Sequence, residues 1–498
     1  MSIIKEVSRR ALHLFVLVGW LTLLPVIAMA QAATPQATPP PPAAPRSVPV
    51  PKPVERTLPN GLRIVVVERS NVPLVSSALV IKNGGEVDPQ ALAGLADLTA
   101  SLLTKGTATR TAPQIAEAIE ALGGSIESGA RWDASTASVG VMSARIGAAM
   151  EILADVVRRP TFKDEEIERL RQQYLDDLTV ALGQPGSIAR YVASRVVFGD
   201  APYGHPLSGT PESIAAIKRA DIVGMHMTYY RPDNAILIIG GDITADDAFK
   251  TAERFFADWQ KPAAPLPAAS GKDAAAKDMN KGQRVVVIDK PDAGQAAVLV
   301  ARTGIRRTDP EFFRGIVANS VLSGYSGRLN QEIRIKRGLS YGARSALETR
   351  REVGPFTAEA QTKNESGAVV ASLLLGEVGR LASGELPDLE LTPRKAVLIG
   401  GFARNLETAS GLVSQVASLA LQGLSFDEIN KYINNVQSIT AKDVQGFAGS
   451  RLDAKGTNII IVGDAKKFLP ELQKLYPNVE VIPVGELNLN NAELRKAK

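Results

Sequence analysis

The sequence predicts an α+β fold made of two homologous halves, each a mixed, mostly antiparallel sheet flanked by helices. Three observations carry that prediction. The stretch from Asp221 to Asp242 returns as Asp443 to Asp464, each residue 222 positions from its counterpart with no gap. Self-similarity at that period is the mark of a duplicated domain. Strand-like and helix-like patterns mix without the strict strand–helix alternation of a parallel sheet. Residues 261–283 are rich in Ala, Pro and Lys and read as a linker. The halves are then residues 55–260 and 284–484, with a tail at 485–498.

In chain order, Asn60-Gly61 is a turn signal between Arg56-Thr57-Leu58 and the β-branched run Leu62 to Val67, a hairpin entering a strand. Val75 to Lys82 reads as a second strand. Ala91 to Thr104 carries Leu95, Leu98 and Leu102 on one helical stripe. Ala112 to Leu122 is a helix stopped by Gly123-Gly124. Ser135 to Met142 alternates as a strand. Ile146 to Val157 and Asp164 to Leu182 are helices, the second with three acids in its first turn, where the helix dipole favours negative charge. A helix after Asp221 and the run Ala235 to Gly241 close the first half. The segment after Asp443 and the run Asn458 to Gly463 close the second.

The N-terminus reads as an export signal over residues 1–30. Lys5, Arg9 and Arg10 precede an apolar run that ends in Ala28-Met29-Ala30, a small-x-small cleavage pattern. Left uncleaved, the run is long enough to act as a membrane tether. Residues 31–54 are rich in Pro and Ala and cannot build a core. The expected location is therefore the periplasm.

Composition excludes several chemistries. The 498 residues contain no Cys, which removes disulfides, thiolate metal sites and thiol nucleophiles. The three histidines, His13, His205 and His226, are far apart, and no pair has the spacing that places two imidazoles on one helix face. His205 and His226 read as structural. A net charge of +5 over this length, with no basic stripe interleaved with aromatics, argues against nucleic acid.

Two segments carry a resemblance. Gly94-Leu95-Ala96-Asp97-Leu98-Thr99-Ala100-Ser101, followed by Lys105-Gly106-Thr107, resembles the frame around H-x-x-E-H in the pitrilysin/insulinase-type metallopeptidases, above all their mitochondrial-processing-peptidase-like branch. In that motif two His one turn apart bind zinc and the Glu is the general base. Here the corresponding residues are Asp97, Ala100 and Ser101, and the third ligand position is Asp177. Two carboxylates without an imidazole make a poor zinc site, and Ala100 cannot accept a proton. The expectation is that this chain holds no zinc and cleaves nothing alone. Asp97, Ser101 and Asp177 are then helix-surface polar groups, with a weak site for a hard cation as the alternative.

The second segment is intact. Ser323-Gly324-Tyr325-Ser326-Gly327-Arg328-Leu329 leads to Arg334 and then Gly338-Leu339-Ser340-Tyr341. The resemblance implies that Arg334 and Tyr341 are a substrate-binding pair and that the Gly324–Gly327 loop touches the peptide. Arg337 competes for the arginine role because it lies nearer the turn. It also implies two halves arranged as a clamshell, and a heterodimer in which a homologous subunit with an intact H-x-x-E-H supplies the zinc. The alternatives are a scaffold protein like the core subunits of the respiratory cytochrome complex, and a peptide-holding module with no catalytic partner.

Overall fold

The computed structural model describes residues 49–267 and 282–496. The export signal, the tether up to residue 48 and most of the linker lie outside the described residues. Asn60 and Gly61 make the first turn. Gly61 takes φ +93°, a conformation that suits a residue without Cβ. Asn60 accepts from the Leu62 amide at 3.1 Å and donates to the Phe256 carbonyl at 2.7 Å, which ties the turn to a distant helix end. The turn joins β1 (Val54–Thr57) to β2 (Arg63–Glu68). With β3 (Leu74–Ile81), β4 (Ser125–Ala130), β5 (Ser135–Met142) and β6 (Ala235–Gly241), they form a sheet in the order β1-β2-β6-β3-β5-β4.

The second sheet contains β7 (Val285–Asp289), β8 (Ala296–Thr303), β9 (Ala343–Leu347), β10 (Pro355–Thr362), β11 (Asn458–Gly463) and β12 (Val479–Pro483), in the order β12-β7-β11-β8-β10-β9. Five strands of each sheet follow one plan: one parallel pair, β2 with β6 or β7 with β11, then three antiparallel pairs. Only the outer strand differs. β1 is antiparallel to β2, whereas β12 is parallel to β7. The 222-residue offset extends to both ends of β3 and β8, and to both ends of the helices Arg219–Tyr229 and Ala441–Arg451. Asp221 and Asp443 recur because each caps its helix. They accept from the backbone amides of Lys218 at 2.8 Å and Thr440 at 2.9 Å.

The apolar runs in β6 and β11 are buried on both faces. Leu237 and Ile239 pack into a core with the helices of their own half, while Ile236 and Ile238 face the other way. That other face is covered by the helix Ala409–Leu421 from the second half, through Leu412, Val413, Val416 and Leu419. The reciprocal exchange occurs at the second sheet. The helix Pro185–Phe198 of the first half lays Ile188, Val192 and Phe198 on Val286, Leu299 and Ile460. The described residues thereby form one compact unit.

Three sequence readings need correction. The fold starts before Glu55: Val50 is already buried, and its amide and carbonyl are both bonded to the Asn430 side chain at 3.0 Å. Ala91 to Thr104 is not one helix. Gly94 sits at φ +92°, so the α-helix covers only Leu95–Leu102, between short 3₁₀ turns. The tail is docked. Leu489 and Leu494 are buried, and Arg195 donates to the Leu489 carbonyl at 2.7 Å.

Candidate functional site

Asp97 and Ser101 stand one turn apart on the helix Leu95–Leu102, with Ala100 turned fully into the core. The helix Asp164–Gly183 brings Tyr174 against them. The Tyr174 hydroxyl donates to Asp97 Oδ2 at 3.1 Å and accepts from Ser101 Oγ at 2.9 Å. The Ala130 amide reaches Asp97 Oδ1 at 3.4 Å. Burial pushes the Asp97 carboxyl above the usual carboxylate range. Burial, with the Asp97 charge next, pushes the Tyr174 hydroxyl upward too. Asp177 lies exposed on the same helix. So of the three expected surface groups only Asp177 is one; Asp97 and Ser101 are locked to Tyr174. Sequence reasoning missed Tyr174, although it lies one turn before Asp177. One carboxylate and two hydroxyls do not suit zinc, which takes imidazole or thiolate donors. No group of three His, Asp or Glu side chains suited to a metal occurs among the described residues.

Changing Tyr174 to Phe leaves a largely buried carboxylate without its best donor and is expected to cost about 1–3 kcal/mol. The check is the denaturant midpoint at constant slope; an unchanged midpoint refutes the network.

In the second half, the helix Phe312–Leu322 ends in the loop Ser323–Gly327. Gly324 takes φ +95°, and a Cβ on Gly327 would meet the Ser323 carbonyl at 2.3 Å. The buried Arg394 fixes this loop by donating to Ser326 Oγ, and Asn330 donates to the Tyr325 carbonyl at 2.6 Å. Tyr325 is thereby presented outward. A turn at Arg328–Asn330 widens into a π-helical turn, Gln331–Lys336, and this turn carries Arg334. The Arg334 guanidinium lies 5.3 Å from the Tyr325 ring centroid. It has no carboxylate partner among the described residues. Glu332 is taken by Arg337 at 2.8 Å and Lys336 at 3.1 Å, and those two cations hold its carboxyl low. Glu348 pairs with Arg350 at 2.8 Å.

Tyr341 follows, with 89% of its surface exposed, just before β9. It lines a cleft of about 310 Å³ between the helix Pro185–Phe198 and the face of β8, β10 and β9. Arg334 is not among the cleft residues, and its ring contact is with Tyr325 rather than Tyr341 among the described residues.

The β9–β10 connection bridges the halves. The Arg350 guanidinium sits 4.5 Å from the Trp132 ring and 4.8 Å from Tyr203. Arg351 donates to the Lys82 and Asp133 carbonyls at 2.6 and 2.8 Å and to Glu86 Oε1 at 3.1 Å. His205 is buried beside Trp132, with its ring nitrogens facing the Pro206 and Gly85 carbonyls. His226 Nε2 faces the Val157 carbonyl at 2.8 Å. Burial lifts the Glu86 carboxyl to about 7, against the opposing pull of Arg351. Between its ordinary value of 4.5 and about 7 the folded chain holds the extra proton. Stability therefore falls as pH rises through that window. Glu86→Gln is expected to remove this slope, worth about 3 kcal/mol across it. Thermal unfolding of both proteins from pH 4.5 to 8 checks it; parallel profiles refute the assignment.

Comparison with known proteins places this geometry. Residues 63–210 match the model of insulinase, peptidase family M16, and residues 216–398 match the peptidase M16 inactive domain. The chain belongs to the insulinase-type M16 peptidase family. It is 26% identical over 430 residues to an uncharacterized zinc protease of Mycobacterium leprae, covering 85% of this chain and 94% of the relative. It is 23% identical over 393 residues to an uncharacterized zinc protease of Bacillus subtilis, covering 79% and 94%. A crystal structure of a peptidase M16 inactive domain from Pseudomonas fluorescens superposes with TM-score 0.75 at 25% identity, covering 82% of this chain and 98% of that one. A protease from Helicobacter pylori shares the fold with TM-score 0.78 at 20% identity, covering 83% and 100%. The insulinase match contains Asp97, Ser101 and Asp177, and the inactive-domain match contains Arg334 and Tyr341.

Proposed function

We propose that this chain is the zinc-free, substrate-binding subunit of a heterodimeric zinc metalloendopeptidase, with Arg334 and Tyr341 as its contribution to the site. The observation that carries the reading is the contrast within one turn of chain. Arg337 and Lys336 are spent on Glu332, whereas Arg334 has no acid partner among the described residues and the Tyr341 hydroxyl stands in solvent. A phenol in that position can donate to the oxyanion that forms as a peptide bond is attacked. A free guanidinium can hold a substrate carbonyl with directed donors. The metal and the attacking water belong to the partner.

The sheets support a peptide-binding role. Residues directly opposite in an antiparallel pair share a face. Leu299, under the helix Pro185–Phe198, is opposite Glu359, which is opposite Arg344. In the first sheet Ala78 is opposite Ser138, which is opposite Glu127. Each face thus turns from apolar to polar beyond its covering helix, which suits an extended, hydrated peptide.

The test is to express the chain alone and together with a homologous subunit carrying H-x-x-E-H. Peptide cleavage by the pair well above that of the zinc subunit alone supports the reading. A stable complex with no gain points to the scaffold role. We also propose export with cleavage after Ala30, checked by an N-terminus beginning at Gln31 in the secreted protein.

A further inference from the structure

The cleft lined by Tyr341 has a charge pattern that the oxyanion role does not use. Its lining residues include one acid, Glu359, and two arginines, Arg190 from the helix Pro185–Phe198 and Arg344 from β9. Both arginines converge on that acid. Arg344 pairs with Glu359 Oε1, and Arg190 Nη1 lies 3.4 Å from Oε2. The Glu359 side chain is only 19% exposed, whereas those of Arg190 and Arg344 are 50% and 70% exposed. Glu359 is therefore the inner anchor of two more exposed guanidiniums, one of which, Arg190, also donates to Ser187 Oγ at 3.3 Å. Each guanidinium has five donors, and one carboxylate cannot use them all. Two positive charges against one leave the cleft with an excess of one. Gln295 and Gln361 supply amides on the same walls, and Gly186 keeps the floor open: a Cβ there would meet Gln361 Nε2 at 2.7 Å.

We propose that this cleft is a carboxylate-binding subsite, with Arg344 and Arg190 as the recognising groups and Glu359 as their positioning residue. The ligand is a carboxylate of an extended peptide, either an Asp or Glu side chain or the free C-terminus. The inference rests on the peptide-binding reading above and sharpens it to a preference for acid. Because Tyr341 lines the same cleft, the recognised group lies within a few residues of the bond that Tyr341 would polarise. Arginine forks match carboxylates in two-point geometry, and a charge-assisted pair is stronger than a neutral one.

The experiment uses the full chain and fluorescent, unstructured peptides that differ at one position. One peptide has a central Glu with an amidated C-terminus, a second has Gln instead, and a third has Gln with a free C-terminus. The Glu peptide or the free-acid peptide should bind about tenfold tighter than the amidated Gln peptide, with the advantage shrinking as salt rises. Which of the two gains identifies the source of the carboxylate. Arg344→Gln with Arg190→Gln should remove the advantage while leaving binding of the amidated Gln peptide unchanged. Glu359→Gln, which removes the carboxylate that positions both guanidiniums, should reduce it. Equal binding of all three peptides by the wild type overturns the subsite but not peptide binding. Binding of none overturns both. A preference that survives the double arginine change also overturns the subsite.

Discussion

Peptide turnover by the reconstituted pair of subunits is expected to fall about a hundredfold when Tyr341 is changed to Phe, because one preorganised donor to a developing oxyanion is typically worth that much or more. The size of the effect is separable from stability. Tyr341 is 89% exposed, and its hydroxyl has no hydrogen-bond partner among the described residues, so the melting temperature should not move. A donor used only as charge develops lowers kcat and leaves KM nearly unchanged. Arg334→Ala should instead raise KM, since a guanidinium on a ground-state carbonyl binds substrate and transition state alike. Arg337→Ala is the internal control. Lys336 remains on Glu332 in that variant, so turnover should stay normal. Normal turnover in Tyr341→Phe, or an equal loss in Arg337→Ala, overturns the assigned roles.

The duplication was legible in the sequence because a capping Asp and a strand-ending Asp recur at one offset, and both do local work that local sequence can show. The strands rich in β-branched residues were legible for the same reason. β4, read off as Ser-Ile-Glu-Ser-Gly-Ala, was not, since its pattern says nothing without its partner β5. The runs Ile236–Ile239 and Ile459–Val462 announce burial on both faces but not what covers them. The covering helix lies far along the chain in each case. The candidate site divides in the same way. The departures from the resembling motif at Asp97, Ala100 and Ser101 could be read in place, whereas what Asp97 contacts depends on Tyr174, 77 residues away. Between Arg334 and Arg337, the resembling family's spacing favours Arg334, and the structure adds that Glu332 binds Arg337.

The exchanged helices carry the other large prediction. Ile188 and Val192 of one helix, and Leu412 and Val416 of the other, are fully buried against the sheet of the opposite half. Burying a side chain of that size contributes about 1.5–3 kcal/mol, so each exchanged helix is worth an amount comparable with the whole stability of a domain, about 5–15 kcal/mol. Residues 31–267 expressed alone should then fail to unfold cooperatively and should aggregate. The same holds for residues 282–498. Expressed together as two chains, the pieces should recover one another's helices and elute with the intact protein, showing two bands only under denaturing conditions. Leu412→Asp, which puts a carboxylate where the first sheet expects an alkyl group, should prevent that recovery. Two halves that fold and melt independently would show that the exchange adds little. Because each sheet is closed by a helix anchored in the other, any opening between the halves must keep both helices seated, which confines motion to the polar faces beyond them, where Glu359 and Glu127 lie.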